Sequence, residues 1–218
     1  MNSRRNFLKT TGLATAALGL GLPSLSFARQ NAALPFKISL AEWSVNSLLF
    51  SKKLDHLDFA LEAKKHGIFA VEYVNQFFID KAKDFTYLKE MNTRCTNEGI
   101  TQVLIMVDRE GMLGARAAAD RTKAVENHKK WIDAAKFLGC HTVRVNGYSD
   151  ISWSTRPEDA SEASKLVSDS IHQLATYAAP TGIHIVIENH GGFSSNGKWL
   201  ADTIRNANHP LAGTLPDF

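Results

Sequence analysis

The sequence predicts an α/β fold in which a parallel sheet curves into a barrel, with about six strands in this chain. Three observations carry that reading. A helix, a glycine and a short apolar strand recur along the chain; polar residues stand at the carboxyl ends of several different strands; and no glycine-rich phosphate turn follows any of those strands. Strands alternating with helices imply parallel pairing through crossover connections. Polar groups converging from many strand ends suit a (β/α)8 TIM barrel. An open doubly wound sheet gathers its ligand at one switch point, usually beside a glycine-rich turn.

The elements follow in order. A first strand is expected over Phe36 to Ala41. Lys65-His66-Gly67 then leads into a second, Ile68 to Val74. Asn97-Glu98-Gly99 leads into Ile100 to Val107, Phe137-Leu138-Gly139 into His141 to Asn146, and Pro180-Thr181-Gly182 into Ile183 to Glu188. Glycine just past a helix takes the left-handed conformation at little cost. A last apolar run, Leu211 to Pro216, ends in Asp217. Between the strands, Trp131, Ile132, Ala135 and Leu138 share one helical face, as do Leu166, Val167, Ile171, Leu174 and Ala178. Pro157 suits the first turn of the latter helix. Five helices separate six strands, and the repeat has no fixed short period, so it is not a solenoid.

The first 28 residues read as an export signal rather than as fold. Ser3-Arg4-Arg5-Asn6-Phe7-Leu8-Lys9 resembles a twin-arginine motif, a weakly apolar stretch runs from about Leu13 to Leu22, and Ser26-Phe27-Ala28 resembles a cleavage site. The stretch is too short and too rich in glycine and alanine to span a bilayer securely. Residues 29–218 then form the folded domain. The expected partner of the leader is the Tat export machinery and the expected destination is the periplasm.

The chain carries a formal charge of +3, and Arg4, Arg5 and Lys9 in the acid-free leader account for all of it. A neutral remainder without a basic run offers no footprint for nucleic acid or an anionic membrane. Cys95 and Cys140 are read as two free, mostly buried thiols, and no Cys/His spacing resembles a zinc finger or ribbon. There is no Gly-x-Ser-x-Gly elbow and no His-Glu-x-x-His helix, which removes serine hydrolases and zincins.

The strand ends carry the candidate chemistry. Glu188 closes a strand buried on both faces, where a charge needs a partner such as a metal ion or a substrate hydroxyl. Asp217 closes the next strand. Arg144 and Asn146 share a strand face by the period-two rule and could orient a ligand; the alternative for Arg144 is an internal salt bridge with Glu72. His190, two residues past Glu188, could bind a substrate hydroxyl, Trp43 could offer an apolar platform to a ligand ring, and Glu72 is divided between substrate contact and a structural ion. His56, His66, His128, His172 and His209 fall in or near helices and read as surface or packing residues.

Val71-Glu72-Tyr73, Leu138-Gly139 with Val143-Arg144-Val145, Ile187-Glu188-Asn189-His190 and Leu215-Pro216-Asp217 together resemble the sugar phosphate isomerase/epimerase-like family, the xylose isomerase-like TIM barrels. The resemblance covers almost all of the chain after the leader. It implies one divalent metal ion (Mn, Mg, Co or Zn), with Glu188 as first ligand and catalytic acid/base and Asp217 as second ligand. The third and fourth ligands, a His and a Glu, would come from strands seven and eight. These lie past Phe218, so the chain reads as a truncated barrel, nearly inactive alone; the fold usually takes about 250 residues. The implied reaction is isomerisation or epimerisation of a sugar or keto-sugar by proton transfer beside a carbonyl. Export favours a neutral sugar or glycoside over a sugar phosphate. Elimination from a 3-keto-glycoside on the same barrel, or a non-catalytic carbohydrate-binding barrel, stands as the alternative; a homo-oligomer is left open. The superfamily's three-zinc DNA-repair endonucleases need further histidines at strands two and three, which end here near Glu72-Tyr73 and Met106-Val107-Asp108.

Overall fold

The computed structural model describes residues 36–217. The chain divides into two units, Met1–Phe36 and Lys37–Phe218. The leader lies outside the described residues, and the second unit carries the strands and helices of the fold.

Six strands are present: β1 (Leu40–Ala41), β2 (Ala70–Val74), β3 (Thr101–Met106), β4 (Thr142–Asn146), β5 (His184–Glu188) and β6 (Ala212–Leu215). They pair in sequence order, and every pairing is parallel. A sheet that never reverses its strand order has no switch point, which separates a barrel wall from a doubly wound sheet. The first strand is shorter than expected. It ladders to β2 only at Leu40 and Ala41, opposite Val71 and Glu72.

The connections are helical. A short helix α1 (Asn46–Phe50) and then α2 (Phe59–Lys65) lie between β1 and β2. Single helices follow: α3 (Phe85–Glu98), α4 (Ala118–Leu138), α5 (Pro157–Ala178) and α6 (Gly197–Ala207). Pro157 opens α5, where its missing N–H costs nothing. Among the described residues no helix is long and apolar enough to cross a membrane.

Strand alternation divides the side chains between two cores. Val71, Tyr73, Ile105, Val143, Val145, Ile185 and Ile187 point toward the helices and pack with Phe59, Leu88, Trp131, Ile171 and Leu174. Trp131 is fully buried, and its indole N–H donates to Glu110 Oε1 at 2.7 Å, so no polar atom of the ring is stranded. On the other face Val74, Leu104 and Met106 form a smaller cluster with Ala41, Phe77 and Leu215. The register slips between Val71 and Glu72, which pair with Gln102 and Leu104, so Val103 is bulged out of the β3 ladder. Cys95 and Cys140 are both buried and unpaired.

Gly99 and Gly139 end α3 and α4 with φ of +69° and +76°. A Cβ at either position would meet nothing within 4 Å. Backbone conformation rather than space therefore selects glycine. Gly139→Ala is expected to cost about 1 kcal/mol, which lowers Tm by about 2–4 °C for a domain of this size. Thermal unfolding of the variant checks this, and an unchanged Tm would contradict it.

Candidate functional site

Inward-facing residues from several strand ends meet at the carboxyl end of the sheet. Parallel register fixes them: Asn146 on β4 stands opposite Glu188 on β5, which stands opposite Leu215 on β6. Asp217 follows two residues on. A cavity of about 670 Å³ opens there, within the range of small-molecule sites. Trp43, Glu72, Arg144, Asn146, Glu188, His190 and Asp217 all line it. Thus the sequence-predicted site residues, drawn from five strands or the turns that follow them, share one cavity.

Arg144 sits at its centre with only 6% of its side chain exposed. Its Nη1 donates to Asp108 Oδ1 at 2.9 Å, and its Nε lies 2.6 Å from Glu188 Oε2. The two contacts differ in kind. Arg144 Nε and Glu188 Oε2 are buried, yet neither makes a directed hydrogen bond, so charge alone holds that pair. The expected alternative of an Arg144–Glu72 salt bridge is corrected: Glu72 instead accepts a hydrogen bond from the Ser39 hydroxyl. Ser39 and Glu72 belong to the β1–β2 side of the cavity, whereas Asp108 and Glu188 flank Arg144 from the strands on either side of β4.

Asp108 carries a role that the sequence alone does not assign to it. Its Oδ1 also accepts from Asn146 Nδ2 at 2.7 Å, and its Oδ2 accepts from Gln76 Nε2 at 3.0 Å. Asn75 brackets its backbone, donating to its carbonyl and accepting from its N–H, both at 2.9 Å. Burial alone would raise the Asp108 pKa. The Arg144 guanidinium and the bonds from Asn146, Arg144 and Gln76 outweigh burial and hold the carboxyl below its ordinary value. A carboxylate just past an apolar strand is the signal available for it, the same one that marks Glu188.

Asn189 is a second residue whose role emerges only in the structure. Its side-chain amide donates to the Asp217 carbonyl and accepts from the Asp217 N–H, each at 2.7 Å. It thereby ties the turn after β5 to the one after β6 and fixes the Asp217 backbone at the cavity. Tyr148 is the third. Its hydroxyl lies 2.7 Å from His190 Nδ1. Burial, with the charges of Asp108 and Glu188, raises the phenol pKa, and the contact fixes the plane and position of the imidazole whichever group donates.

Below Trp43 lies a buried polar chain. Glu42, fully buried, accepts from the Val74 N–H at 2.8 Å through Oε2. Its Oε1 stands 3.4 Å from His56 Nε2, and neither of those two atoms has a hydrogen-bond partner. His56 Nδ1 in turn lies 2.7 Å from the Tyr87 hydroxyl. Burial pushes Glu42 well above the ordinary carboxylate range and pushes His56 down to about 4. Burial thus favours the neutral form of each group.

Among the described residues no three His, Cys, Asp or Glu side chains group closely enough to hold a metal ion. Glu188 and Asp217 nevertheless offer two hard oxygen donors on neighbouring strands, and Glu188 Oε2 has no directed donor. The cavity is lined by four carboxylates, Glu72, Asp108, Glu188 and Asp217, against two guanidinium groups, Arg109 and Arg144. That donor set and that excess of negative charge fit a hard divalent cation.

Residues 60–218 match the family model described as xylose isomerase-like TIM barrel, and residues 1–21 match that of the twin-arginine translocation pathway signal sequence. The leader therefore directs export through the twin-arginine pathway. No curated protein matches the chain. Solved structures do, at low identity. The 3-keto-D-glucoside 4-epimerase YcjR of E. coli aligns over 75% of this chain and 64% of its own, with 17% identity and a TM-score of 0.60. D-psicose 3-epimerase from Clostridium cellulolyticum H10, solved with D-tagatose, aligns over 84% and 63%, with 14% identity and a TM-score of 0.68. The IOLI protein with a bound zinc atom aligns over 82% and 62%, with 15% identity and a TM-score of 0.64. The chain thus spans a little under two thirds of these proteins. The sequential parallel sheet, the polar cavity at its carboxyl end and a family match over most of the length agree: this chain belongs to the xylose isomerase-like TIM barrel family.

Proposed function

We propose that residues 29–218 belong to a sugar isomerase or epimerase that depends on a divalent metal ion and works in the periplasm after removal of residues 1–28. The observation that supports the proposal is that Glu188, which closes β5, and Asp217, which follows β6, line one cavity with Arg144, Asn146 and His190. Glu188 and Asp217 would hold the metal. When bound, it would polarise the carbonyl and neighbouring hydroxyl oxygens of the sugar and so acidify the C–H bond between them.

The chain's own residues do the rest. Glu188 takes or returns the proton at the carbon beside the carbonyl, which requires a carboxylate within hydrogen-bond reach of that carbon. Asn146 and Arg144, fixed by Asp108, present N–H donors to substrate hydroxyls. His190, oriented by Tyr148, offers its other ring nitrogen to a substrate hydroxyl. Glu72 and Trp43 contribute a hydroxyl acceptor and an apolar face. A neutral sugar or a glycoside suits this lining, since no cluster of cations awaits a phosphate. The likeness to a 3-keto-D-glucoside 4-epimerase supports a keto-glycoside as substrate, and elimination from such a compound is the second reading.

Elemental analysis of the purified chain, carried through its reading frame, beside Glu188→Gln tests the proposal. About one divalent ion per chain, reduced at least tenfold in occupancy by Glu188→Gln, is the expected result. The variant is also expected to lose isomerisation activity by at least about a hundredfold, the usual contribution of a positioned acid/base. No metal in either protein would sink the metal mechanism and favour a carbohydrate-binding barrel.

A further inference from the structure

The cavity is not uniformly polar. Arg144, Asn146, Glu188, His190 and Asp217 form its β4–β6 side, while Ala41, Val74, Met106 and Leu215 line it elsewhere. The apolar lining does not stop at the floor. Phe77 packs on the inner cluster of Val74, Leu104 and Met106. Its ring centre lies 6.1 Å from that of Trp43 and 5.1 Å from that of Phe50, and Trp43 and Phe50 meet edge to face at 6.0 Å. Trp43, which lines the cavity, is 47% exposed, and Phe50 is 58% exposed. An apolar strip therefore climbs from the floor of the site to open solvent on the β1–β2 side.

Burying the C–H face of one sugar ring needs one aromatic platform, and Trp43 alone could serve. Three mutually packed rings, two of them well exposed, extend past the reach of a monosaccharide held at the polar wall. Contiguous exposed apolar surface beside a polar site marks a binding surface. We propose that the Trp43–Phe50–Phe77 cluster is a subsite for the apolar aglycone of a glycoside, so that the substrate is a keto-glycoside with an aryl or similarly apolar aglycone and not a free sugar. The sugar ring lies against Asn146, Arg144 and His190, and the aglycone, still attached, extends along the strip. The proposal rests on the reading of the polar wall as a sugar site.

Calorimetric titration of the full chain with matched methyl and phenyl glycopyranosides in the gluco, galacto and manno series, and with phenol, tests it. For at least one sugar the phenyl glycoside is expected to bind at least tenfold more tightly than the methyl glycoside. Phe50→Ala, an exposed position outside the cavity lining, is expected to shrink that preference to threefold or less and leave methyl glycoside affinity unchanged. Equal affinities in the parent chain, or a preference that survives Phe50→Ala, would overturn the subsite while leaving the sugar site standing. Phenol binding as tightly as the phenyl glycosides would overturn it too, since the strip would then act without the polar wall. Dimerisation that disappears in Phe50→Ala would assign the cluster to a second copy of the chain. Binding of none of the glycosides would remove the sugar site itself, and the subsite with it.

Discussion

Arg144→Met is expected to destabilise the domain by about 3 kcal/mol at pH 7, the scale for a buried ion pair that loses one partner. The physical reason is that Arg144 answers two carboxylates at once. Asp108 Oδ1 is 2.9 Å from Nη1, and Glu188 Oε2 is 2.6 Å from Nε. Methionine fills much the same volume but leaves both carboxylates facing a largely buried space without a cation. Asp108 keeps its bonds from Asn146 and Gln76, which limits the loss. Glu188 has no such support.

The same variant has a signed pH dependence. In the parent chain the Asp108 pKa is depressed, so its stabilising contribution is present above the ordinary carboxylate range and disappears as the pH falls through the depressed value. Without Arg144 that contribution is reduced to what Asn146 and Gln76 sustain, and the deficit of the variant is expected to shrink once the pH drops below about 4, where Asp108 takes up a proton. Urea unfolding at about pH 3 and pH 7 measures both arms. Equal stability of variant and parent at pH 7 would show that the Arg144 pairs contribute nothing net. If Glu188 and Asp217 hold a divalent ion, added metal is expected to restore part of the loss by mass action.

Much of this site is legible in the sequence because barrel chemistry sits where an apolar strand ends in a polar residue. Asn146, Glu188 and Asp217 are visible for that reason, and a glycine before each of β2, β3, β4 and β5 marks where the strand begins, whereas β6 follows Asn208. The residues that escape are the ones whose meaning lies in a partner far along the chain. Asp108 is recognisable as important only once Arg144, on the next strand, is seen to reach it. Asn189 sits inside a motif whose neighbours draw attention to themselves, and its bond to Asp217 crosses between two loops. Ser39 claims Glu72 and so frees Arg144 for Asp108 and Glu188, a choice that depends on which strands are neighbours and in what register. The first strand is shorter than its composition suggests because Phe36 to Ser39 is strand-like in sequence, yet pairing with β2 takes hold only at Leu40. An edge with a partner on one side gives composition less to act on than a central strand does.

At pH 8, Glu42→Gln is expected to be more stable than the parent chain, and the gap is expected to be wider there than at pH 5. Glu42 is wholly buried, and burial raises its pKa well above the ordinary range. A raised acid holds its proton in the folded chain and gives it up in the unfolded chain. Its stabilising contribution is therefore full at low pH and declines as the pH climbs toward the raised value. Glutamine keeps the acceptor for the Val74 N–H and has no proton to lose. His56 works in the opposite direction. Its pKa is lowered to about 4, so the unfolded chain takes up a proton near 6.5 while the folded chain does not. Stability then falls as the pH drops from about 6.5 to about 4, by roughly 3 kcal/mol in all. In the parent the two slopes oppose each other across that interval and flatten the profile. In Glu42→Gln the histidine slope stands alone, so stability is expected to rise steeply between pH 4 and 6.5 and then level off. Chemical denaturation at pH 5, 6.5, 8 and 9 separates the cases. A variant less stable than the parent at pH 8 would mean that Glu42 is ionised and paired with a protonated His56. The consequence reaches the site because Glu42 lies between Ala41 and Trp43, both of which line the cavity. Glu42 holds the end of β1 to β2 through the Val74 N–H, and a charge on so deeply buried a carboxyl would loosen the wall that carries Trp43.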